Sequence, residues 1–538
     1  MSRRILLALC GSLACRTPPS VGPEPASPRA ELTAPADPLR ERLESLDHRI
    51  EAELERSQIA GAALVIVRDG EVIHTRGFGR RAVDAETPVT ADTLFAIGST
   101  TKAFTAMLVM MAVEAGKLSL DDHPRKCVPG FRLRDADADA RITVRDLLTH
   151  SSGLMGTDLA WITGQLSSEE LVALLGEAEP TAPLRTSFQY QNVMYLAAGM
   201  CAARALAGEY EQLLRARILA PIGIGTATLS ITRMQQRPDF AKGHHRQPGG
   251  ELREIAMRNL DAIAPAGGLN ASAVMLGNWL RLLLAGGVWQ GKPLIGRRYF
   301  QELLAPQFDA GPELAYTLGW LRSRWGEDAQ LSHTGGIDGF STLVAMLPAR
   351  RIGFALLTNV DNADVHGMVT REVFGLLDET APAAAPALAD PDALVGTYGV
   401  LGGFKVELLR SGEGLALRVP GQPPYPLELE RGLRFRLGTP APAGFFAELR
   451  DRDGARELLL QQPFGDLHLA KLDEAELEAA AHASAPAELR ELMGVYRIEG
   501  KPTEVELAEL EGGVSLVVPG QPPARLVTTA RDRYALAG

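Results

Sequence analysis

One segment of the chain, Lys102 to Ala115, is apolar over most of its length and contains neither Gly nor Pro. A helix of this composition has no polar face, so it has to be buried in the interior of a sizeable domain. The segment begins with a lysine, which is one of only 8 lysines in the 538-residue chain. We therefore predict a buried helix with a cationic group at its start.

The start of this helix also carries a Ser-x-x-Lys spacing, formed by Ser99 and Lys102. Residues at positions i and i+3 share one face of a helix, and a serine at a helix start lies at the positive end of the helix dipole. A desolvated lysine one turn later can hold the hydroxyl and accept its proton. The spacing predicts a nucleophilic serine, with a capping serine and a solvated lysine as the alternative.

A second motif, Tyr190-Gln191-Asn192, lies in a predicted loop before the apolar stretch Val193 to Met200. An ammonium group nearby favours the phenolate form of a tyrosine, so Tyr190 can serve as general base and later as general acid. Asn192 can orient a substrate carbonyl or the lysine. The alternative is a core tyrosine whose hydroxyl is satisfied within the fold.

A third motif, His333-Thr334-Gly335-Gly336, is predicted to begin a strand. A glycine in a strand lets a substrate approach the backbone closely. The N–H groups of Ser99 and Gly336 would then form an oxyanion hole. The alternative is a hairpin with a polar histidine at its edge.

These three motifs, in this order, resemble the serine β-lactamase and penicillin-binding-protein superfamily, specifically its class C-like branch. That branch includes class C β-lactamases, D-Ala-D-Ala carboxypeptidases, D-aminopeptidases and esterases. The resemblance covers about residues 39 to 377 and rests further on four blocks, at 116–122, 142–154, 265–269 and 318–320. It implies an α/β fold of the α+β type, in which helices flank an antiparallel sheet and the site lies between the sheet and a helical subdomain.

The resemblance also implies roles for single residues. Ser99 is similar to the acylated nucleophile, and Lys102 and Tyr190 to the pair that moves its proton. Asn192 is similar to the residue that contacts the substrate amide. His150 belongs to a loop signature of the family, and we expect it to be structural.

His333, Thr334 and Gly335 occupy the place of the Lys-Thr-Gly motif of true β-lactamases, where they are expected to bind substrate. With an ordinary pKa of about 6.5, a histidine is mostly neutral at pH 7. A site that recognises the carboxylate of a β-lactam is therefore weakened, although Thr334 can still donate a hydrogen bond. We expect a carboxypeptidase, aminopeptidase or esterase rather than an efficient β-lactamase.

The first segment predicts export. In residues 1–15, Arg3-Arg4 precedes an apolar run from Ile5 to Ala14 that is typical of a secretory signal and too short to span a bilayer. Cys15 follows Leu13-Ala14 as in a bacterial lipobox, so it is a lipidation candidate, and plain cleavage after Ala14 is the alternative. Residues 16–38 are rich in Pro and Ala and predict a flexible tether. We expect a periplasmic protein or a membrane-anchored lipoprotein of a bacterium.

The remaining chain divides into a hydrolase domain at 39–378, a linker at 379–392 and a C-terminal β-rich region. That region contains a first β module at 393–472, a helical linker at 473–488 and a second copy at 489–538. The segment 419–424, Val-Pro-Gly-Gln-Pro-Pro, recurs unchanged at 518–523. Two copies are too few for a solenoid, so we interpret the second copy as truncated or as completed by pairing with the first.

Other function classes are disfavoured. The formal net charge of −11 argues against a nucleic-acid partner, which needs a basic face. The chain has no Gly-x-Ser-x-Gly elbow and no His-x-His pair, which disfavours an α/β-hydrolase and a metallo-β-lactamase. We expect no cofactor and no metal. The expected partner is a small-molecule or peptide substrate, cell-wall material included, with membrane contact only through a lipid anchor.

Two further pairs of residues carry expectations. Cys127 and Cys201 can pair in an oxidising compartment, but the apolar neighbours of Cys201 favour a buried thiol. His244-His245 are expected to lie solvated in a polar loop.

The sequence thus predicts an exported serine hydrolase that cleaves an amide or ester bond through an acyl-serine intermediate. The rival hypothesis is a catalytically weak penicillin-binding or cell-wall scaffold protein, whose C-terminal β modules bind a ligand.

Overall fold

The computed structural model describes two parts of the chain. The first is 38–376, with gaps at 155–156, 158, 163, 247–250, 312–313 and 362–364; the second is 390–473 and 493–536, with gaps in the connections between strands. The predicted signal, nearly all of the tether, most of the 379–392 linker and the helical linker after residue 473 lie outside the described residues. Within the described parts, no helix is both long and apolar enough to cross a membrane.

The α-helices among the described residues lie in the first part of the chain. They are α1 (Pro38–Arg56), α2 (Thr101–Glu114), α3 (Ala136–Arg141), α4 (Val144–Thr149), α5 (Leu159–Ile162), α6 (Ser168–Ala173), α7 (Asn192–Ala205), α8 (Tyr210–Leu214), α9 (Ile231–Gln235), α10 (Ala264–Gly267), α11 (Ala273–Leu284), α12 (Arg297–Leu304) and α13 (Val365–Gly375).

The strands form several sheets. In the first part they are β1 (Gly61–Arg68), β2 (Glu71–Gly79), β3 (Phe95–Ala96), β4 (His244–Arg246), β5 (Leu252–Glu254), β6 (Asn270–Ala271), β7 (Val288–Trp289), β8 (Lys292–Pro293), β9 (Phe308–Gly311), β10 (Leu314–Tyr316), β11 (Leu321–Trp325), β12 (Asp328–Ile337), β13 (Phe340–Leu347) and β14 (Ile352–Thr358). In the second part they are β15 (Gly396–Gly399), β16 (Lys405–Ser411), β17 (Gly414–Arg418), β18 (Tyr425–Arg431), β19 (Arg434–Leu437), β20 (Phe446–Arg452), β21 (Ala455–Gln461), β22 (Leu467–Lys471), β23 (Gly494–Arg497), β24 (Glu504–Leu510), β25 (Gly513–Val517), β26 (Ala524–Ala530) and β27 (Arg533–Leu536).

The main sheet is antiparallel, with the order β2-β1-β14-β13-β12-β11-β10-β9. Helices cover both of its faces. Successive side chains of a strand point to opposite faces, so Leu64 and Ile66 of β1 pack toward α1 and α13, while Val65 and Val67 pack into the core that contains α2 and α11. The predicted α+β class, with an antiparallel sheet flanked by helices and a β-rich region after it, is confirmed.

The alternating pattern of residues 60–79, with Arg68-Asp69-Gly70 as a turn, predicts a hairpin, and this hairpin forms. Arg68 pairs with Glu71 across a two-residue turn, in which Asp69 and Gly70 both have positive φ, at 52° and 84°. This is the backbone that a tight hairpin turn needs, and Asp-Gly suits it. The first strand of the hairpin, β1, lies inside the sheet and is buried on both faces.

The C-terminal part contains two sheets. Strands β15 to β22 form a closed antiparallel barrel, completed where Tyr398 of β15 pairs with Lys471 of β22. Its interior is filled by apolar side chains such as Leu417, Phe435 and Leu458. Strands β23 to β27 form a separate five-stranded sheet whose bounds repeat those of β15 to β19 at an offset of 98 or 99 residues. The strand pairs described for this sheet all form between its own strands, from β23 to β27.

Two expectations are corrected by the fold. Cys127 and Cys201 form a disulfide, with Cα atoms 4.9 Å apart, although the apolar neighbours of Cys201 favoured a thiol. His244 is buried in β4, where its ring nitrogens lie 2.9 Å from the Asn359 carbonyl and 3.1 Å from the Val83 N–H. It is therefore not solvated, because backbone groups of distant segments satisfy both nitrogens.

Candidate active site

Ser99 lies on a single 3₁₀ turn, Gly98–Thr100, that leads directly into α2. The hydroxyl of Thr101 donates to the Gly98 carbonyl at 2.7 Å and accepts from the Leu269 N–H at 3.1 Å. These bonds tie the turn to the segment after α10. The serine is half-buried, so its hydroxyl is held by a rigid turn while part of its surface stays accessible.

Lys102 lies one residue into α2, and its side chain has no exposed surface. Its Nζ donates to the Ser99 Oγ at 2.9 Å, to the Asn192 Oδ1 at 2.7 Å and to the Ala266 carbonyl at 2.8 Å. An ammonium group has three N–H donors, so these acceptors match it in number. Three hydrogen bonds offset much of the cost of burying the charge. Ala266 belongs to none of the three motifs, although the segment 265–269 is part of the family resemblance.

Tyr190 and Asn192 come to the lysine from the start of α7. Asn192 is the first residue of that helix, and the Gln191 side chain caps it by accepting from the Val193 N–H. The Nζ of Lys102 lies 4.7 Å from the centroid of the Tyr190 ring. The structure thus brings together the four predicted residues of the first two motifs around one ammonium group.

The third motif lies in the middle of β12 rather than at its start, and it packs against the turn Gly98–Thr100, which we call the Ser99 turn. A Cβ added to Gly335 would lie 2.0 Å from the Ile97 carbonyl oxygen and 3.0 Å from the Ser99 nitrogen. A Cβ on Gly98 would lie 2.9 Å from the Gly336 nitrogen. The glycines thus let the Ser99 turn and the strand touch. This differs from the predicted reason, which was that a glycine in the strand leaves room for substrate.

His333 is buried, with 3 % of its surface exposed. Its Nδ1 lies 2.6 Å from the Thr334 carbonyl and therefore carries the proton, while its Nε2 lies 3.1 Å from the hydroxyl of Tyr316. Burial, followed by the charge of Lys102, lowers the pKa of His333 to about 3. The ring is therefore neutral at pH 7 and presents no cation to a substrate. Thr334 is exposed.

Aromatic rings surround the lysine and both histidines. The ring of His150 lies 4.2 Å from that of Tyr190, 5.1 Å from that of Tyr195 and 4.8 Å from that of Tyr316. Burial, with smaller contributions from Lys102 and His333, lowers the pKa of His150 well below its usual value. Burial also raises the pKa of Tyr195 and of Tyr316. Neither Tyr195 nor Tyr316 was predicted from the sequence, because no short motif marks a residue that contributes through ring packing.

No group of three or more His, Cys, Asp or Glu side chains suited to a metal ion occurs among the described residues. A separate surface cavity of about 500 Å³ is lined by Glu211, Arg215 and Arg233 among others. None of the residues around Lys102 lines that cavity.

The fold and this arrangement define a β-lactamase-like fold that carries a buried lysine beside a serine hydroxyl. The family model described as Beta-lactamase matches residues 46–374, and the chain belongs to that family.

Two curated relatives resemble this chain at low identity. Protein flp of Staphylococcus aureus (strain MW2) is 25 % identical over 338 residues, which are 61 % of this chain and 65 % of flp. Unguisins hydrolase ungD of Aspergillus violaceofuscus is 27 % identical over 334 residues, which are 56 % of this chain and 58 % of that protein. The match thus spans less than two thirds of either relative.

Solved structures share the fold. The octameric penicillin-binding protein homologue from Pyrococcus abyssi superposes with a TM-score of 0.60 at 24 % identity, covering 80 % of this chain and 100 % of that one. The D-alanine carboxypeptidase AmpC from Burkholderia cenocepacia superposes with a TM-score of 0.52 at 24 % identity, covering 63 % of this chain and 99 % of that one.

Proposed function

We propose that this protein is an exported serine hydrolase that cleaves an amide or ester bond through an acyl-serine intermediate. The observation that carries the proposal is the hydrogen bond of 2.9 Å between the Lys102 Nζ and the Ser99 Oγ, on a lysine with no exposed surface. A buried ammonium group beside one serine hydroxyl suits an activated nucleophile.

The proton of the serine needs an acceptor when the Ser99 Oγ attacks the substrate carbonyl. With three acceptors around it, Lys102 is in the ammonium form and orients the hydroxyl. Its charge near the Tyr190 ring favours a phenolate there. Tyr190 takes the serine proton and later gives it to the leaving group, so that an acyl-serine forms as the amine or alcohol departs. Water then breaks the acyl-serine bond and restores the hydroxyl.

The negative charge that develops on the carbonyl oxygen needs donors. The Ser99 turn and β12 touch at Gly98 and Gly335, and this contact places the backbones of Ser99 and Gly336 side by side. Their two N–H groups serve as the oxyanion hole in this proposal. One such donor contributes about 3 kcal/mol to transition-state stabilisation.

The substrate class follows from the strand that borders the site. His333 is neutral and hydrogen-bonded through both nitrogens, so the third motif offers the hydroxyl of Thr334 and no permanent cation. A substrate without an obligatory carboxylate at this position fits best. We favour a peptidase acting on a small peptide, cell-wall material included, or an esterase, over an efficient β-lactamase. Unguisins hydrolase ungD and the D-alanine carboxypeptidase AmpC are hydrolases by their names.

Export is part of the proposal. The Cys127–Cys201 disulfide supports an oxidising compartment, in keeping with the signal predicted at residues 1–15. In a bacterium this compartment is the periplasm, reached either as a soluble protein after cleavage at Ala14 or as a lipoprotein anchored through Cys15.

The test is a comparison of kcat/KM on three substrates: a chromogenic cephalosporin, a p-nitrophenyl ester and a D-alanyl anilide. The proposal expects turnover of the ester or the anilide to exceed that of the cephalosporin, and Ser99→Ala to abolish all turnover. A protein that binds these compounds but turns none of them over would support the rival scaffold hypothesis instead.

A further inference from the structure

His150 lies directly behind the second motif, at a place in the fold that is firmly held. It follows α4 and has a left-handed backbone with φ of 57°. The loop that carries it is anchored by Asp146, whose carboxylate is buried and accepts from Arg185 at 2.7 Å and from the Ser151 hydroxyl at 3.1 Å. The ring of His150 therefore projects from a rigid support, since both ends of its loop are bonded.

His150 contacts three consecutive residues, Gln189, Tyr190 and Gln191, of which the last two belong to the second motif. Its backbone carbonyl accepts from the Gln189 N–H at 2.8 Å, and its Nδ1 accepts from the Gln191 N–H at 3.0 Å. Between these two bonds, its ring stacks on the ring of Tyr190 at 4.2 Å with a tilt of 32°. The next residue is Asn192, which accepts from Lys102. One histidine thus contacts Tyr190 and the residue on each side of it.

The bond to Gln191 fixes the protonation state of the ring. Because Nδ1 accepts from an N–H, the proton of His150 lies on Nε2. That nitrogen is buried, and no described residue accepts a hydrogen bond from it. A second proton on Nδ1 would remove the acceptor for Gln191 and place a second cation near Lys102. The neutral form is therefore the one that supports the motif.

We propose that His150 is a positioning residue of the acyl-transfer site, whose neutral, Nε2-protonated imidazole holds Tyr190 against Lys102 through the Gln191 N–H and the stacked ring. This inference rests on the proposed function, because Tyr190 matters only if it moves the serine proton. It goes beyond the structural role that the sequence suggested for His150, since the residue acts on the chemistry through a neighbour.

The test uses two substitutions that both suit a left-handed backbone. His150→Asn keeps an acceptor close to the position of Nδ1, and asparagine tolerates positive φ. His150→Gly also tolerates it but removes both the acceptor and the ring. We expect His150→Gly to lower the rate of labelling by an activated fluorophosphonate, and kcat on the best substrate, by about 100-fold with little change in KM, because a displacement of about 1 Å in a site has that effect. His150→Asn should restore most of this loss.

A matched control is His123, whose Nδ1 accepts from the Arg125 N–H at 3.1 Å. His123 precedes a short turn that ends next to Cys127, and Cys127 forms the disulfide with Cys201. Cys201 lies in α7 about 14 Å along the helix axis from Asn192. His123→Gly removes the same type of bond and should leave the labelling rate unchanged.

Hydrogen exchange of the peptide that contains Gln191 supplies a second measurement, which needs no activity. Faster exchange at Gln191 in His150→Gly, and protection in His150→Asn, are the expected results. If the wild-type protein labels but His150→Gly labels at the same rate, or if His123→Gly loses as much, the positioning role is wrong. If the wild-type protein itself does not label, the proposed function fails, and the exchange data still show whether His150 holds the motif.

Discussion

The Nζ of Lys102 lies 2.9 Å from the Oγ of Ser99, in a position without exposed surface. A charge is buried in this way only when strong partners surround it. The partners of Lys102 come from three separate segments, which contribute Ser99, Asn192 and Ala266. The charge therefore assembles the site and is expected to be required for it.

Replacing the lysine by an apolar side chain of similar length separates chemistry from folding. Lys102→Met removes the charge, so the protein should stay folded, with a change in the free energy of unfolding of about 2 kcal/mol or less. Labelling by an activated fluorophosphonate should fall by about 1,000-fold, since the charge that orients the Ser99 hydroxyl and favours the Tyr190 phenolate is lost. Urea unfolding and the labelling rate measure the two effects. A variant that labels like the wild-type protein would show that Lys102 is only structural.

Gly335→Ala should disrupt the contact between β12 and the Ser99 turn. The added Cβ would lie 2.0 Å from the Ile97 carbonyl oxygen, which is backbone and cannot move without displacing Ser99. We expect labelling to fall by about 100-fold and the melting temperature to drop. Gly130→Ala is the matched control, since a Cβ there meets nothing within 4 Å. Equal behaviour of the two variants would refute the close contact.

His333→Lys tests the account of substrate class. A lysine there supplies a cation next to the exposed Thr334, so the kcat/KM for a cephalosporin carboxylate should rise relative to that for a neutral ester by about 10-fold, a gain of about 1.4 kcal/mol. His333→Gln, which adds no charge, is the control. An unchanged ratio in His333→Lys would mean that this position does not discriminate by charge.

Stability should fall as the pH falls below 7. Burial lowers the pKa of His333 to about 3 and that of His366 to about 4, whereas both titrate near 6.5 in the unfolded chain. Between these values the unfolded chain binds protons that the folded protein does not, so stability present above pH 6.5 is lost on acidification. Each histidine contributes a loss of about 2 kcal/mol between pH 7 and pH 5. Urea titrations at both pH values should show that the free energy of unfolding falls less between pH 7 and pH 5 in His366→Asn than in the wild-type protein. Equal losses in the two proteins would contradict the lowered pKa of His366.

The disulfide should stabilise the hydrolase domain. It joins residues 74 apart in sequence, and a loop of that length corresponds to about 4 kcal/mol from the lower entropy of the unfolded chain. The double variant Cys127→Ala/Cys201→Ala should unfold at a lower urea concentration. Alkylation of the unreduced, denatured protein provides the check on the bond itself. Modification of Cys127 and Cys201 without reductant would show that the bond is absent.

Local sequence patterns predicted the parts of the fold that depend on residues close together in sequence. The apolar composition around Met107 predicted the buried helix α2, and Asp69-Gly70 predicted a tight hairpin turn. The Ser99–Lys102 contact was also predictable, because both residues lie on one helical turn. Tyr190 and Asn192 were linked to them by residue chemistry and by family resemblance.

The remaining features depend on contacts between distant segments. Nothing near Cys201 in the sequence reveals that Cys127 lies beside it. The apolar neighbours of Cys201 favoured a buried thiol rather than the disulfide that forms. The role we infer for His150 depends on a stacked ring and on a backbone N–H 41 residues away in sequence. The closure of β15 on β22 likewise needs the whole barrel, since the two strands lie at opposite ends of the module.

The central claim is that Ser99 is the nucleophile, and intact-mass measurement after incubation with an activated fluorophosphonate tests it most directly. The account predicts that the wild-type protein gains the mass of one adduct, which peptide mapping places on Ser99, while Ser99→Ala gains none under the same conditions. Equal labelling of the wild-type protein and Ser99→Ala would contradict the account.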